Sequence, residues 1–285
     1  MTAPSPNPDS GVARVVCEQL APRVGDLAHN RELAFDAVRR ARSERADIVV
    51  LPELATSGYV FADADEARRT AITPGDVFFT DLTRLLTGTR TVVVVGFCED
   101  GGPTLYNSAA VVDADGVRAV YRKTHLWDRE TLFFTPGEQM APVVTTAHGR
   151  IGVLICYDLE FPEMPRRLAT AGADLIAVPT NWPLEEHPAG ERPAEIVQAQ
   201  AAARANGVYI ACADRSGTER GQAWTQGTAV INQYGWLTAT ATAATRHRAV
   251  TDVFLHLSRD KSLSPHNDLL RDRRTDLYAQ ESPQL

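Results

Sequence analysis

Two short segments, "DIVVL" (residues 47–51) and "DLIAV" (residues 174–178), place apolar side chains at consecutive positions behind an acidic residue. Successive strand residues point to opposite faces, so a strand apolar at every position must be covered on both sides. Further strand-length runs, among them "VARVVCEQL", "TVVVVGFCE", "IGVLICYD", "VYIACAD" and "HRAVTDVFLHL", recur along the chain. Helical patterns separate several of them, over residues 27–45, 78–86, 162–171 and 193–206. The last pattern ends in Asn206-Gly207, a left-handed stop. "DADGVR" (residues 113–118) and "NQYGW" (residues 232–236) each join two strand-like runs and read as hairpin turns. With no linker or fixed-period repeat in the middle of the chain, these alternations describe one α/β domain with a covered sheet.

Composition narrows the function classes. The 285 residues are 44% apolar and 23% charged, as in an ordinary globular protein. The net charge of −7 carries no basic block for a phosphate backbone, so no nucleic-acid partner is expected. The longest apolar runs are far short of the roughly 20 residues that span a bilayer, which argues against a membrane protein. The first ten residues, rich in Pro, Ser and Asn, lack the pattern of a signal peptide and read as a flexible leader, giving a cytoplasmic expectation. The four cysteines, Cys17, Cys98, Cys156 and Cys212, lie far apart with no C-x-x-C pair and are expected to be free thiols. Seven scattered histidines include no H-x-x-x-H or H-E-x-x-H pair, so no metal is expected.

Chemistry collects where apolar runs end. "IVVLPE" ends on Glu53, "VRAVYRK" on Lys123 and "GVLICYD" contains Cys156. In covered α/β sheets ligands bind beyond the carboxyl ends of strands, so the three ends can converge on one crevice. Singly, each has an ordinary explanation: a solvated loop glutamate, a surface lysine beside Arg122, a core thiol. Together they suit nucleophilic catalysis, because a protonated thiol needs a cation or a base to attack. Lys123 offers the first and Glu53 the second, with a summed charge near zero in a partly buried site. His125, two residues after Lys123, is weaker evidence for acid–base work than a paired His would be.

At this point "LPELATSGY", "YRKTHLWDRETLFFTPG" and "GVLICYDLEFPE" resemble, in order and spacing, the three motif regions of the carbon–nitrogen hydrolase, or nitrilase-like, superfamily. The spacings are 70 residues from Glu53 to Lys123 and 33 from Lys123 to Cys156. "GADLIAVPTNWP" and "QAQAAARANGVYIACADRSG" are similar to the family's downstream elements, so the resemblance covers roughly residues 12–257. It implies a four-layer α-β-β-α sandwich, a homodimer paired through outer helices, and a thiol hydrolase without metal or cofactor. The division it implies is a leader at 1–10, the hydrolase domain at 11–258 and a tail at 259–285. By the same resemblance Cys156 is the nucleophile, Glu53 the general base and then acid, and Lys123 the stabiliser of the tetrahedral intermediate. The backbone N–H of Tyr157 would complete the oxyanion site. Glu130 would position the substrate amide and orient Lys123, ahead of Asp128 and Glu138.

"CYDLEFPE" looks like the amidase and carbamoylase branches, whereas nitrilases more often carry Trp-Glu after the cysteine. A small amide is therefore the expected substrate, with a nitrile or an N-carbamoyl amine as the alternative. "PTNWPLEEHPAGERP" (residues 179–193) should form a pocket wall, with Asn181 and Trp182 as substrate-binding candidates and Trp182 able to close the site. Tyr59 is a further candidate, alongside Phe61, or both are core aromatics. Glu185 and Glu186 either meet a cationic amide or are solvated.

Overall fold

The computed structural model describes residues 11–278. Nine strands fill the first three quarters of the chain: β1 (Ala13–Glu18), β2 (Ile48–Val50), β3 (Val92–Asp100), β4 (Leu105–Asp113), β5 (Gly116–Arg122), β6 (Val143–Thr145), β7 (Arg150–Val153), β8 (Leu175–Pro179) and β9 (Tyr209–Ala213). Seven short ones follow: β10 (Thr218–Glu219), β11 (Gln222–Ala223), β12 (Ala229–Ile231), β13 (Leu237–Thr240), β14 (Arg248–Val253), β15 (Ser262–Ser264) and β16 (Asn267–Asp268). The helices are α1 (Leu27–Ser43), α2 (Ala64–Thr70), α3 (Val77–Leu86), α4 (Glu163–Thr170), α5 (Ala194–Asn206) and α6 (Thr275–Tyr278).

Two six-stranded sheets result, ordered β14-β1-β2-β3-β4-β5 and β13-β12-β9-β8-β7-β6. In each, parallel strands occupy the centre and antiparallel ones the rims, the hairpins at residues 113–116 and 232–236 closing β4–β5 and β12–β13. The period-two alternation of the strands shows how the sheets are covered. Val15, Ile48, Val50, Val92 and Val94 of the first sheet join one buried cluster with Ile151, Ile176 and Ile210 of the second. Their neighbours Val16, Val49, Val93 and Val95 pack instead on Phe35 and Val38 of α1 and Phe78 and Leu82 of α3. On the far side Met164 and Leu168 of α4 and Ala199 and Ala203 of α5 cover the second sheet. This is the four-layer α-β-β-α sandwich expected from the sequence. Strands apolar on both faces are its direct physical requirement, since each has a sheet on one side and helices on the other.

Local signals explain the helix ends. Asp26, Asp63 and Asp76 accept hydrogen bonds from first-turn N–H groups of α1, α2 and α3. Gly207 stops α5 at φ +57°. Among the described residues no helix is long and apolar enough to cross a membrane. The leader lies outside the described residues, as do the last seven residues of the tail. The described part of the tail lies on its own chain, where Lys261 Nζ donates to the carbonyls of Asn206 (3.1 Å) and Gly207 (2.8 Å).

Candidate active site

Glu53, Lys123 and Cys156 sit beyond the ends of β2, β5 and β7, on the edge where both sheets present their carboxyl ends. The strands stop sooner than the apolar runs suggest. β2 ends at Val50 and β7 at Val153, and two residues separate each from its functional residue. Pro52 precedes Glu53 and cannot extend the ladder. Cys156 opens a 3-10 turn (Cys156–Glu160) and has φ +48°, a left-handed conformation that costs a non-glycine residue on the order of 1 kcal/mol. That sharp turn places Tyr157 at its second position, and the first N–H groups of such a turn have no acceptor within it. Glu53 is held equally tightly. A β-carbon on Gly96 of β3 would lie 2.5 Å from the Glu53 Cα and 2.6 Å from the Pro52 carbonyl oxygen, so only glycine admits this approach.

The side chains form one buried network. Lys123 Nζ donates to Glu53 Oε1 and to Glu130 Oε1, each at 2.7 Å. Asn107 Nδ2 also donates to Glu53 Oε1 at 2.7 Å. Glu130 Oε1 additionally accepts from the Tyr59 hydroxyl at 2.6 Å, and its Oε2 accepts from the Trp127 N–H at 3.2 Å. Asn181 Nδ2 donates to the Glu53 carbonyl at 2.9 Å, tying the wall loop to the β2 end. Glu53 Oε2 is buried with no hydrogen-bond partner among the described residues. Cys156, 4% exposed, lines a cavity of about 180 Å³ with Trp127, Tyr157, Trp182 and Pro183. A second cavity of about 280 Å³, lined by Tyr59, Phe61, Glu130 and Trp224 among others, shares Trp127 and Pro183 with it.

Burial governs the electrostatics. It pushes Glu53 up to about 7, an effect that Lys123 opposes and Glu130 reinforces. It also pushes the Cys156 thiol well above its ordinary value, with Glu53 adding to the rise and Lys123 opposing it. Burial disfavours the Lys123 ammonium, yet Glu130 and Glu53 together outweigh this and hold Lys123 well above its usual range. The sequence suggests three partly buried groups of near-zero summed charge. The structure has four fully buried ones, and with Glu130 included two carboxylates share one ammonium. The excess negative charge is relieved by proton binding at Glu53 near neutrality. A sulfur facing that excess rests as a thiol, so its proton must leave during attack rather than before it.

Other candidates fall elsewhere. His125 is stacked on Phe161 at 3.8 Å, and its Nδ1 lies 2.8 Å from Asp158 Oδ1, which fits a structural role. Asp128 is exposed on the rim of the larger cavity, and Glu138 lines a different one. Trp182 is 2% exposed and backs on Gly227, a wall of the pocket rather than a closing lid. Glu185 lines the Cys156 cavity, while Glu186 is exposed outside it.

Three site residues escaped sequence reasoning. Asn107 looks like a polar start to a strand, and only the pairing of β4 beside β3 aims it at Glu53. Asp158, two residues after the cysteine, accepts from the Tyr121 and Thr124 hydroxyls and from the N–H groups of His125 and Ile155. It thereby ties the Lys123 loop to the Cys156 turn. Glu219 accepts from the N–H groups of Tyr59 (2.8 Å) and Val60 (2.6 Å) and is paired with buried Arg215. Asp158 had a local signal, an acid inside a motif, but the partners of all three lie far away in sequence.

Comparison with known proteins agrees with this geometry. A family model described as carbon-nitrogen hydrolase matches residues 14–259. A nitrilase of Pyrococcus abyssi is 34% identical over 271 residues, covering 94% of this chain and 99% of that protein. An (R)-stereoselective amidase of Pseudomonas sp. is 31% identical over 268 residues, covering 93% and 92%. A solved variant of the amidase from Nesterenkonia sp., carrying the acetamide moiety of fluoroacetamide covalently added at its active-site cysteine, superposes with a TM-score of 0.76 at 26% identity, covering 96% of this chain and 98% of that one. A family match across most of the chain, on a two-sheet sandwich with a buried thiol at the strand ends, leads to one conclusion: the chain belongs to the carbon–nitrogen hydrolase family, on its amidase branch, as a thiol hydrolase.

Proposed function

We propose that the protein hydrolyses a small amide, aliphatic or an ω-amide, to a carboxylic acid and ammonia through a Cys156 thioester. The observation that carries this reading is the pair of 2.7 Å bonds from Lys123 Nζ to Glu53 and Glu130, in a buried network around the Cys156 thiol. Glu53, with its unpartnered Oε2, takes the thiol proton as Sγ attacks the amide carbon. The oxyanion of the tetrahedral intermediate is held between Lys123 Nζ and the Tyr157 N–H, contacts worth a few kcal/mol per donor. Glu53 then gives its proton to the departing nitrogen, and ammonia leaves. In the second half-reaction Glu53 takes a proton from water as the oxygen attacks the thioester, and returns it to the sulfur. Glu130 orients Lys123, while Tyr59, Asn181 and Trp182 shape the substrate pocket.

The 34% identity to a protein named nitrilase favours a second reading in which a nitrile enters the same triad, an N-carbamoyl amine being the further alternative. A panel of amides, nitriles and N-carbamoyl compounds assayed for ammonia separates the two. Cys156→Ala abolishes release in either case, and full residual activity in that variant refutes the thioester route. We further read residues 11–258 as the catalytic unit of a cytoplasmic homodimer. An apolar groove beside α4 and α5, lined by Leu159, Pro162, Pro165 and Ala201, supports pairing through that face. Sedimentation at micromolar concentration checks it, a monomer being the refuting result.

A further inference from the structure

Tyr59 lies between β2 and α2, in a stretch with no helix or strand to hold it. What holds it is the β10–β11 hairpin, 160 residues further on and outside both main sheets. Glu219 Oε2 accepts from the N–H groups of Tyr59 at 2.8 Å and Val60 at 2.6 Å, and Arg220 donates to the Val60 carbonyl at 2.9 Å. The approach leaves no room for a side chain at Gly58, where a β-carbon would meet Glu219 Oε1 at 2.8 Å and the Val24 Cα at 2.4 Å. Two consecutive N–H groups on one carboxylate fix the direction of the loop as well as its position.

The carboxylate can do this in a dry setting because it is paired. Arg215, 2% exposed, donates to Glu219 from two nitrogens at 2.8 and 3.1 Å and to the Pro22 carbonyl at 2.7 Å. Its guanidinium also lies over the Trp224 ring at 4.6 Å, and Trp224 meets the Tyr59 ring edge-on at 5.5 Å. Tyr59 is thus held at its backbone by one member of the pair and at its ring through the other. An apolar pair of the same volume could pack as well, but it would offer no charged acceptor to the Tyr59 and Val60 N–H groups.

The far end of Tyr59 reaches the catalytic network. Its hydroxyl donates to Glu130 Oε1, the oxygen that also accepts from Lys123 Nζ. Glu130 acts on Glu53 and Cys156 as well, raising the proton affinity of both, while its neighbours Asp128 and Arg129 are exposed. A donor on the ionised carboxylate favours the ionised form of the coupled pair, whichever of Glu53 and Glu130 takes the proton.

Resting on the amidase reading, in which Glu130 orients Lys123, we propose that the Arg215–Glu219 pair is a positioning unit for the active site: Glu219 sets Tyr59, and Tyr59 through its hydroxyl sets the Glu130–Lys123 pair beside Cys156.

Alkylation of Cys156 by iodoacetamide, followed by mass against pH, reads the network without a substrate, since the sulfur displaces iodide as its proton passes to Glu53. The native rate should rise with a midpoint near 7. Tyr59→Phe, which keeps the ring and loses the donor, should move that midpoint up by about one pH unit and slow labelling at pH 7 about fivefold. Glu219→Gln should do the same, and the double variant should match Tyr59→Phe alone, because Glu219 acts through Tyr59. An unmoved midpoint in Glu219→Gln, or shifts that add in the double variant, overturns the proposal. If Glu219→Gln does not fold, Glu219→Asp, which keeps the charge and shortens its reach, takes its place in the cycle. If neither folds, the pair is a structural clamp and the proposal fails. The kcat for ammonia release should follow the labelling cycle. A labelling cycle as expected, with no ammonia released from any amide, leaves the positioning unit standing and refutes the amidase reading instead.

Discussion

Glu53→Gln should cut activity and raise stability at once, because the carboxylate that serves catalysis is held where ionisation is unfavourable. Burial raises Glu53 from an ordinary 4.5 to about 7, so at alkaline pH the folded protein carries a penalty of about 3 kcal/mol for ionising it. The amide mimics the protonated acid and can keep the Asn107 bond while avoiding that penalty. Below pH 4.5 the acid is protonated in both folded and unfolded chains, and it contributes no pH dependence. Between 4.5 and 7 the unfolded chain ionises freely while the folded one retains its proton, so native stability falls as pH rises through this window. The variant lacks this dependence, and its advantage should open from pH 4.5 to 7 and reach up to about 3 kcal/mol above it. Urea denaturation at pH 5 and pH 8.5 reads the change. Over the same substitution kcat should fall about 10³-fold, since the thiol is pushed up by burial and no second base takes its proton. The native kcat/KM should also rise through an apparent pKa near 7, the value of its base. A variant that keeps a tenth of native kcat, or a stability difference that does not widen with pH, refutes the assignment of Glu53 as a strained catalytic base.

Other substitutions probe the supports. Lys123→Met leaves Glu53 and Glu130 buried without their shared ammonium, and should cost about 3–5 kcal/mol at pH 8 by urea denaturation. The loss should shrink toward pH 5 as Glu53 takes up a proton. Gly96→Ala forces a β-carbon to within 2.5 Å of the Glu53 Cα and should destabilise by about 1–3 kcal/mol in thermal melts. It should also lower kcat, because the displaced atoms carry the base. Asp158→Ala removes the acceptor that joins the Lys123 loop to the Cys156 turn, and should cost about 2–3 kcal/mol in the same melts.

Much of this protein follows from one-dimensional pattern. Apolar runs with no polar face, such as "DIVVL", can be satisfied only by cover on both sides, and the two-sheet sandwich supplies it. The end of α5 was legible because Gly207 acts on its immediate neighbours. Glu53, Lys123 and Cys156 stood out because each breaks the end of an apolar run. The pairing of these groups was not legible, since hydrogen bonds from Lys123 reach Glu53 across 70 residues and no local rule encodes that contact. Nor was the turn that starts at Cys156: "IGVLICYD" reads as continuous strand, yet β7 stops at Val153 and the cysteine adopts a left-handed backbone. The sequence by itself determined the layers and the chemical groups, because burial periodicity and residue type are local properties. Only the tertiary structure decided which groups are desolvated together, and that desolvation raises Glu53 and keeps the thiol protonated.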